Sequence, residues 1–345
     1  MSDFSIERLT PQHAAAISDC FRRVYGETYA NELFYDLPAL ATALEEGRLC
    51  SVGALTDTGG VMAHMAMVCH PGARFAELGN TVVDPAARGG GLAWKVGDEL
   101  ARWCIEAGYP AYLHYPTTDH HIMQRRSVER GFETGLMLGY IPAETDGQVN
   151  ADKAPLRSAS TVVYNPFSES PADTLHAPGR YRAVLEGLAE QCRLERSWQT
   201  SNAPAAGTTD LNEQTFGKRG LRRYEVTRIG SDVESWCAAL ATDLPCEQLD
   251  LPMEDPALEV AVEAAIAAGF VFCAWMPGYR ARDVLRLQRV ATDATDLAPA
   301  VVNPVAQALL EQIREEITRS AENAGRPRSP SLPSSDSQLP RKTPE

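Results

Sequence analysis

The stretch Val82-Val83-Asp84-Pro85-Ala86-Ala87-Arg88-Gly89-Gly90-Gly91-Leu92-Ala93 constrains this chain more than any other, because a β-branched strand end runs through three glycines into an amphipathic helix. Glycine has no Cβ, so three in succession let the backbone curl until successive N–H groups face one concavity. The first turn of the following helix adds unpaired donors and the positive end of its dipole. A junction of this kind is an anion site, and phosphate or pyrophosphate is its natural occupant. Two better-known glycine loops are excluded, since no Gly-Lys-Ser/Thr closes the stretch and no G-x-G-x-x-G opens a βαβ unit.

Hydrophobic periodicity orders the elements around the loop. Phe4 to Leu9 alternates as a strand, and Thr10-Pro11 before Ala14 to Val24 starts a helix with proline in its first turn. Leu49 to Leu55 and Val61 to Cys69 read as strands of a hairpin about the turn Asp57-Thr58-Gly59-Gly60. After the loop, Leu92, Val96, Leu100 and Cys104 recur every fourth residue and make one buried stripe ending at Gly108. Pro110 to Tyr115, Phe132 to Ile141 and Ala159 to Tyr164 read as further strands, with a polar loop from Pro142 to Pro155. Residues 166–179 are dense in turn formers and read as a linker.

Beyond the linker the series repeats in outline. Strand (Arg222 to Ile229), helix (Ser231 to Ala241), strand (Glu247 to Leu251), helix (Pro256 to Ala268) and strands (Val271 to Trp275, Val284 to Val290) follow one another, with Gly269-Phe270 echoing Gly131-Phe132. The echo offers one glycine, in Thr227-Arg228-Ile229-Gly230-Ser231, where the first half has three. Residues 321–345 hold five prolines and five serines and almost nothing apolar, so a disordered tail is expected.

Composition adds exclusions. At 345 residues and 44% hydrophobic content the chain can pack two domains. No apolar run approaches the ~20 residues of a membrane helix, and Met1-Ser2-Asp3-Phe4 has no basic start or apolar core of a signal peptide. No membrane association and a cytoplasmic location are therefore expected. The eight cysteines form no C-x-x-C and sit in apolar runs, as buried thiols of a reducing compartment do. With 46 acidic against 32 basic side chains, the surface should repel nucleic acid and favour cationic amines.

Arg88-Gly89-Gly90-Gly91-Leu92-Ala93 resembles the Q/R-x-x-G-x-G/A signature of the Gcn5-related N-acetyltransferases (GNAT), and Val83-Asp84-Pro85 resembles the end of their fourth strand. The resemblance extends over residues 3 to 165 as an ordered series, with Phe75-Ala76-Glu77 opening strand four and Arg130-Gly131-Phe132 closing helix four. It implies an α/β fold with a mixed central sheet and helices on both faces. The expected organisation is 1–165 as a GNAT acetyl-CoA-binding catalytic domain, 166–179 as linker, 180–320 as a degenerate GNAT-like α/β domain and 321–345 as tail. The resemblance also implies that acetyl-CoA is held by Val82, Val83, Arg88, Gly89, Gly90, Gly91, Leu92 and Ala93, and that Glu77 is the base that deprotonates the amine.

One position departs from the family. A tyrosine four residues before the Gly-Phe often serves there as acid, and here that residue is Ser127, a shorter and poorer proton donor. His114, His120 and His121 are the other titrating groups near the junction of cofactor and substrate, His120 and His121 as catalytic candidates and His114 toward the substrate. Tyr25, Tyr29, Phe34 and Tyr35, between helices one and two, are candidates to box a cationic amine. His64, His70 and Cys69 lack metal-ligand spacing, so no metal is expected. Three functions stay open: an acetyl-CoA-dependent N-acetyltransferase for a small-molecule or protein amine, a non-catalytic acyl-CoA-binding regulator, and a tandem transferase using another acyl or aminoacyl donor. A monomer or homodimer suits any of them.

Overall fold

The strands β1 (Ser5–Leu9), β2 (Leu49–Leu55), β3 (Val61–Val68) and β4 (Ala76–Val83) form an antiparallel run, β2 and β3 as apolar segments buried on both faces. The computed structural model describes residues 4–69, 73–119, 121–143, 156–201, 203–279 and 282–324. Helices α1 (Ala14–Tyr25) and α2 (Leu37–Glu45) cover one face of this run, burying Ile17, Phe21, Leu40 and Val82 in one core. Helix α3 (Leu92–Glu106) covers the other, and its expected stripe Leu92, Val96, Leu100, Cys104 is buried against Met65, Met67 and Leu78. The helices thus lie on both faces of a mixed sheet.

The chain continues through β5 (Ala111–His114), α4 (His121–Val128), β6 (Phe132–Ile141) and β7 (Ser158–Pro166). Strand β5 runs parallel to β4 but pairs with it only at Ala76, Glu77 and Leu78. Beyond Leu78, β4 goes on without that partner, so the sheet splays open at the carboxyl ends of two parallel strands, where open α/β sheets place ligands. A bulge deepens the opening: His64 faces Val82 and Ala66 faces Gly79, so β4 carries one residue more than β3 between those pairs. Asn80 takes a left-handed φ of 53° there. The extra residue inverts the alternation, so Leu78 packs toward α3 while Val82 packs toward α1.

The remaining elements are β8 (Asp173–Ala177), α5 (Arg182–Cys192), β9 (Arg196–Thr200), β10 (Asp210–Phe216), β11 (Leu221–Arg228), α6 (Val233–Ala239), β12 (Cys246–Pro252), α7 (Leu258–Ala267), β13 (Val271–Met276), β14 (Val284–Val290) and α8 (Pro304–Ala324). Among the described residues twelve strands form one sheet, ordered β1-β2-β3-β4-β5-β7-β6-β13-β14-β12-β11-β10. The order β4-β5-β7-β6 is mirrored by β13-β14-β12-β11, with β11 and β12 parallel as β4 and β5 are.

The two halves meet edge to edge at β6 and β13, where Gly135 lies opposite Ala274. A Cβ on Gly135 would come within 2.2 Å of the Ala274 Cβ, so only glycine permits this approach. The buried Gln288 side chain stitches the seam, donating to the Leu136 and Phe272 carbonyls at 2.9 and 3.0 Å and accepting from the Leu138 amide at 2.8 Å. Helix α8 packs across β6 and β13, and one core runs from Leu136 and Tyr164 to Leu285 and Ile313. A boundary at 165–180 therefore crosses a continuous sheet and a shared core.

Two expected segments differ. Residues 173–177 of the expected linker form β8, parallel to β9, with Leu175 and Ala177 buried. Their apolar alternation outweighs the turn formers that flank them. Residues 321–324 of the expected tail belong to α8, whose buried Leu309, Leu310 and Ile313 hold the helix to the sheet; 325–345 lie outside the described residues.

Candidate functional site

The glycine loop is built as an open cradle. After β4, Asp84 caps a short turn by accepting from the Ala86 amide at 2.9 Å and pairs with Arg23 of α1 at 2.5 Å. Burial opposes ionisation of Asp84, but Arg23 and the Ala86 amide outweigh it and hold the carboxyl below its ordinary range. Gly89 and Gly91 take φ of 83° and 72°, left-handed values that carry strain for other residues. Gly89, Gly90 and Gly91 are exposed, and a Cβ on Gly89 would meet nothing within 4 Å. Among the described residues, the amides of Gly89 to Ala93 have no hydrogen-bond partner. They point to an external acceptor at the start of α3.

The corresponding place in the second half is closed. Between β11 and α6, the Ile229 amide donates to Asp255, the Gly230 amide to Thr209 Oγ1 and the Ser231 amide to the Gly207 carbonyl. Asp232 takes two more bonds from Thr209, both at 2.7 Å. The segment Gly207 to Thr209 covers the turn, and a Cβ on Gly230 would lie 2.1 Å from it. One cradle is open and the other is filled by the protein itself.

Next along α3 from the open cradle, starting at Trp94, a narrow cleft of about 70 Å³ is lined by Leu78, Thr81, Trp94, Tyr112, His114 and Arg130 among others. The free amides of Gly89 to Ala93 suit the pyrophosphate of a CoA thioester, and the cleft beyond Trp94 is narrow, as an extended pantetheine arm requires. Ser127 of α4 and His114 of β5 line it, with His114 Nε2 2.5 Å from Ser127 Oγ and Asn165 Nδ2 2.9 Å from His114 Nδ1. Asn165 donates to Nδ1, which places the ring proton on Nε2, facing Ser127; the Ser127 hydroxyl donates to the Met123 carbonyl at 2.7 Å. Burial lowers the His114 pKa to about 4, so the ring is neutral at neutral pH. His114 thus lines the cleft with both ring nitrogens engaged, by Ser127 and by Asn165.

Glu77 projects from the start of β4, half-buried, with the Tyr115 hydroxyl 3.4 Å from Oε2. Tyr115 meets Tyr140 of β6 edge to face at 6.1 Å. Tyr29 reaches the bulge, its hydroxyl 3.2 Å from Asn80 Oδ1, while His64 supports the same residue from within by bonding the Asn80 carbonyl at 3.0 Å. Burial pushes the Tyr29 hydroxyl well up and lowers His64 to about 4. His64 is a structural prop.

The aromatic box is only partly realised. Phe34 is fully buried, stacked on Phe21 at 4.1 Å, and belongs to the core rather than to a substrate surface. The correction follows from α2, which folds over it. Tyr25 packs on Tyr29 at 5.0 Å, and Tyr35 already lies beside the protein's own cations, Arg22 at 5.4 Å and Lys218 at 5.3 Å. His121 is exposed at the start of α4, and His120 lies outside the described residues. Asn80, Tyr115, Asn165 and Arg219 escaped the sequence reading. Tyr115 and Asn165 stand at strand ends beside residues that were singled out, but nothing local marks what they touch.

No family model and no curated protein matches the chain. Among solved structures it is similar to a GNAT family N-acetyltransferase from Escherichia coli in complex with CoA, at 23% identity over 36% of this chain and 68% of that one, TM-score 0.30. A putative acetyltransferase from Salmonella typhimurium with acetyl-CoA is similar at 16% identity over 50% and 98% of the two chains, TM-score 0.40. The ribosomal-protein-S18-alanine N-acetyltransferase from Escherichia coli is similar at 15% identity over 49% and 96%, TM-score 0.39. Overall likeness at this level decides nothing about the site; the splay, the bulge and the open cradle belong to this chain's own structure. Among the described residues no cluster of His, Cys, Asp and Glu is placed to hold a metal, and no helix is long and apolar enough to cross a membrane.

Proposed function

We propose that this chain is an acyl-CoA-dependent N-acetyltransferase whose catalytic half is residues 1–165 and whose second half is a GNAT-like repeat that has closed its cofactor loop. The observation that carries the reading is the row of unpaired amides from Gly89 to Ala93, one residue before Trp94, which lines the cleft at the splay of β4 and β5. Acetyl-CoA supplies the acyl group as a thioester, with Val82, Val83 and the loop from Arg88 to Ala93 holding it. Positioning is the largest service such a site performs. Glu77 takes the proton of the incoming amine directly or through water. Tyr115, at 3.4 Å, orients the carboxylate.

Ser127 does not replace the tyrosine acid, because its hydrogen is committed to Met123 and its oxygen to His114. The leaving thiolate takes its proton from solvent at the cleft mouth. The same locked chain is what favours the second reading, an acyl-CoA-binding regulator without turnover. Titration with acetyl-CoA and thiol release against an amine panel separate the two. The transferase reading expects turnover that falls at least about tenfold in Glu77→Gln and binding that is lost in Gly91→Glu, which sets a negative side chain and a strained φ in the cradle. Tight binding without turnover overturns it in favour of the regulator, and no binding overturns both.

A further inference from the structure

We propose that the turn between β10 and β11, supplied by the second half of the chain, roofs the acceptor end of the catalytic half, and that Arg219 selects amines that also carry a carboxylate. The proposal rests on the transferase reading above and names its substrate class.

The turn Gly217-Lys218-Arg219-Gly220 is held over the first half by contacts on both sides. Lys218 Nζ lies 3.5 Å from Glu32 and 5.3 Å from the Tyr35 ring, bordering an open groove formed by Glu32, Tyr35, Asp36, Leu37 and Pro38. Arg157, from β6's neighbouring segment, donates Nε to the Gly139 carbonyl at 2.7 Å and Nη2 to the Arg219 carbonyl, so the turn's backbone is tied to β6. Gly220, with φ of 54° and a Cβ position 2.9 Å from Pro245, bends the chain back into β11. The turn is a fixed part of the site.

From it Arg219 reaches inward. Its Nη1 donates to the Tyr140 hydroxyl at 2.5 Å, and its guanidinium sits 5.1 Å from the Tyr140 ring centre. Tyr140 meets Tyr115, and Tyr115 reaches Glu77. Tyr29 and Glu77 are both within electrostatic range of Arg219. A base, three tyrosines and an arginine from five separate segments therefore converge at the acceptor end of the splay. Among the described residues no carboxylate pairs with Arg219, and its Nε and Nη2 hydrogens have no acceptor. A half-buried guanidinium with an open fork of donors matches a carboxylate in shape and charge. On a chain of net charge −14 most of the surface repels carboxylates, so the roof is a local exception that concentrates them beside Glu77.

The experiment has two arms on the full chain. In the first, calorimetry with CoA at saturation compares binding of glycine, β-alanine, γ-aminobutyrate and a set of L-amino acids with that of their methyl esters, which keep the amine and lose the carboxylate charge. The wild-type chain should prefer at least one acid over its ester by about 30-fold or more, Arg219→Ala should bring that ratio to near one, and Arg219→Lys should leave an intermediate ratio, because a point charge replaces a fork. Acetyl-CoA binding checks that each variant is folded, and Arg219→Lys decides alone if the alanine variant does not hold the cofactor. Equal binding of acids and esters by the wild-type chain, or an acid preference unchanged in both variants, overturns the proposal. In the second arm thiol release with the same compounds reports turnover. Acid preference without turnover sinks the transferase reading but keeps the carboxylate site, whereas turnover without acid preference does the reverse.

Discussion

Glu133 offers the sharpest physical test of how the two halves are held. It lies on β6, the strand that carries the seam, and is fully buried. Neither carboxyl oxygen has a hydrogen-bond partner. The Ala306 amide, at the start of α8, is near enough to ease its ionisation but not placed to bond it. Burial is the dominant cause and raises the pKa from the ordinary 4.5 to about 7. The folded chain therefore holds a proton more tightly than the unfolded chain. The stability this contributes is complete below pH 4.5 and is lost as pH rises through 7. A shift of that size corresponds to about 3 kcal/mol between the two limits. Glu133→Gln keeps the shape and removes the titration. Urea denaturation at pH 5 and pH 8 reads the effect: the wild-type chain should lose roughly 2.5 kcal/mol more than the variant between those values, and the variant should be the more stable at pH 8. Parallel pH profiles for the two chains would refute the reasoning, because they would mean that the Glu133 carboxyl is hydrated or paired in the folded state.

Two further substitutions probe the seam and the cleft. Gln288→Leu should destabilise the chain by roughly 2–4 kcal/mol in denaturant titration, since it leaves the Leu138 amide and the Leu136 carbonyl buried without partners; a loss under 0.5 kcal/mol would show that water or backbone movement satisfies them. Gly131→Ala places a Cβ 2.4 Å from Asn165 Oδ1 and 2.6 Å from the Tyr164 carbonyl, so the Asn165–His114–Ser127 chain must shift. The expected result is a stability loss of about 1–3 kcal/mol and weaker acetyl-CoA binding, measured by thermal melting and calorimetry, and a chain with unchanged affinity would show that this hydrogen-bond chain does not shape the cleft.

Local pattern revealed most of the elements. The strand from Phe132 to Ile141 and the hairpin strands follow from short apolar runs bounded by turn residues, and the stripe of α3 from period-3.6 spacing, patterns that a short segment carries by itself. The glycines of the loop were equally legible, since left-handed backbone is a local demand. By contrast β8 was hidden in a segment of turn formers and α8 went unread, because each is held by the sheet it packs on rather than by its own sequence. Phe34 looked like a substrate aromatic for the same reason: exposure is decided by what folds over a residue.

The amino-acid sequence alone determined that a strand runs through three glycines into a helix at residues 82–93 while the comparable turn at 227–231 has a single glycine, and three glycines permit a backbone curl that one does not. Only the tertiary structure decided that the second copy is plugged by Gly207 to Thr209, that the two halves share one sheet through Gly135 and Ala274, and that Arg219 reaches Tyr140, whose ring meets Tyr115. Those are contacts between residues tens to hundreds of positions apart, and their partners are chosen by strand register and packing, which no local pattern encodes.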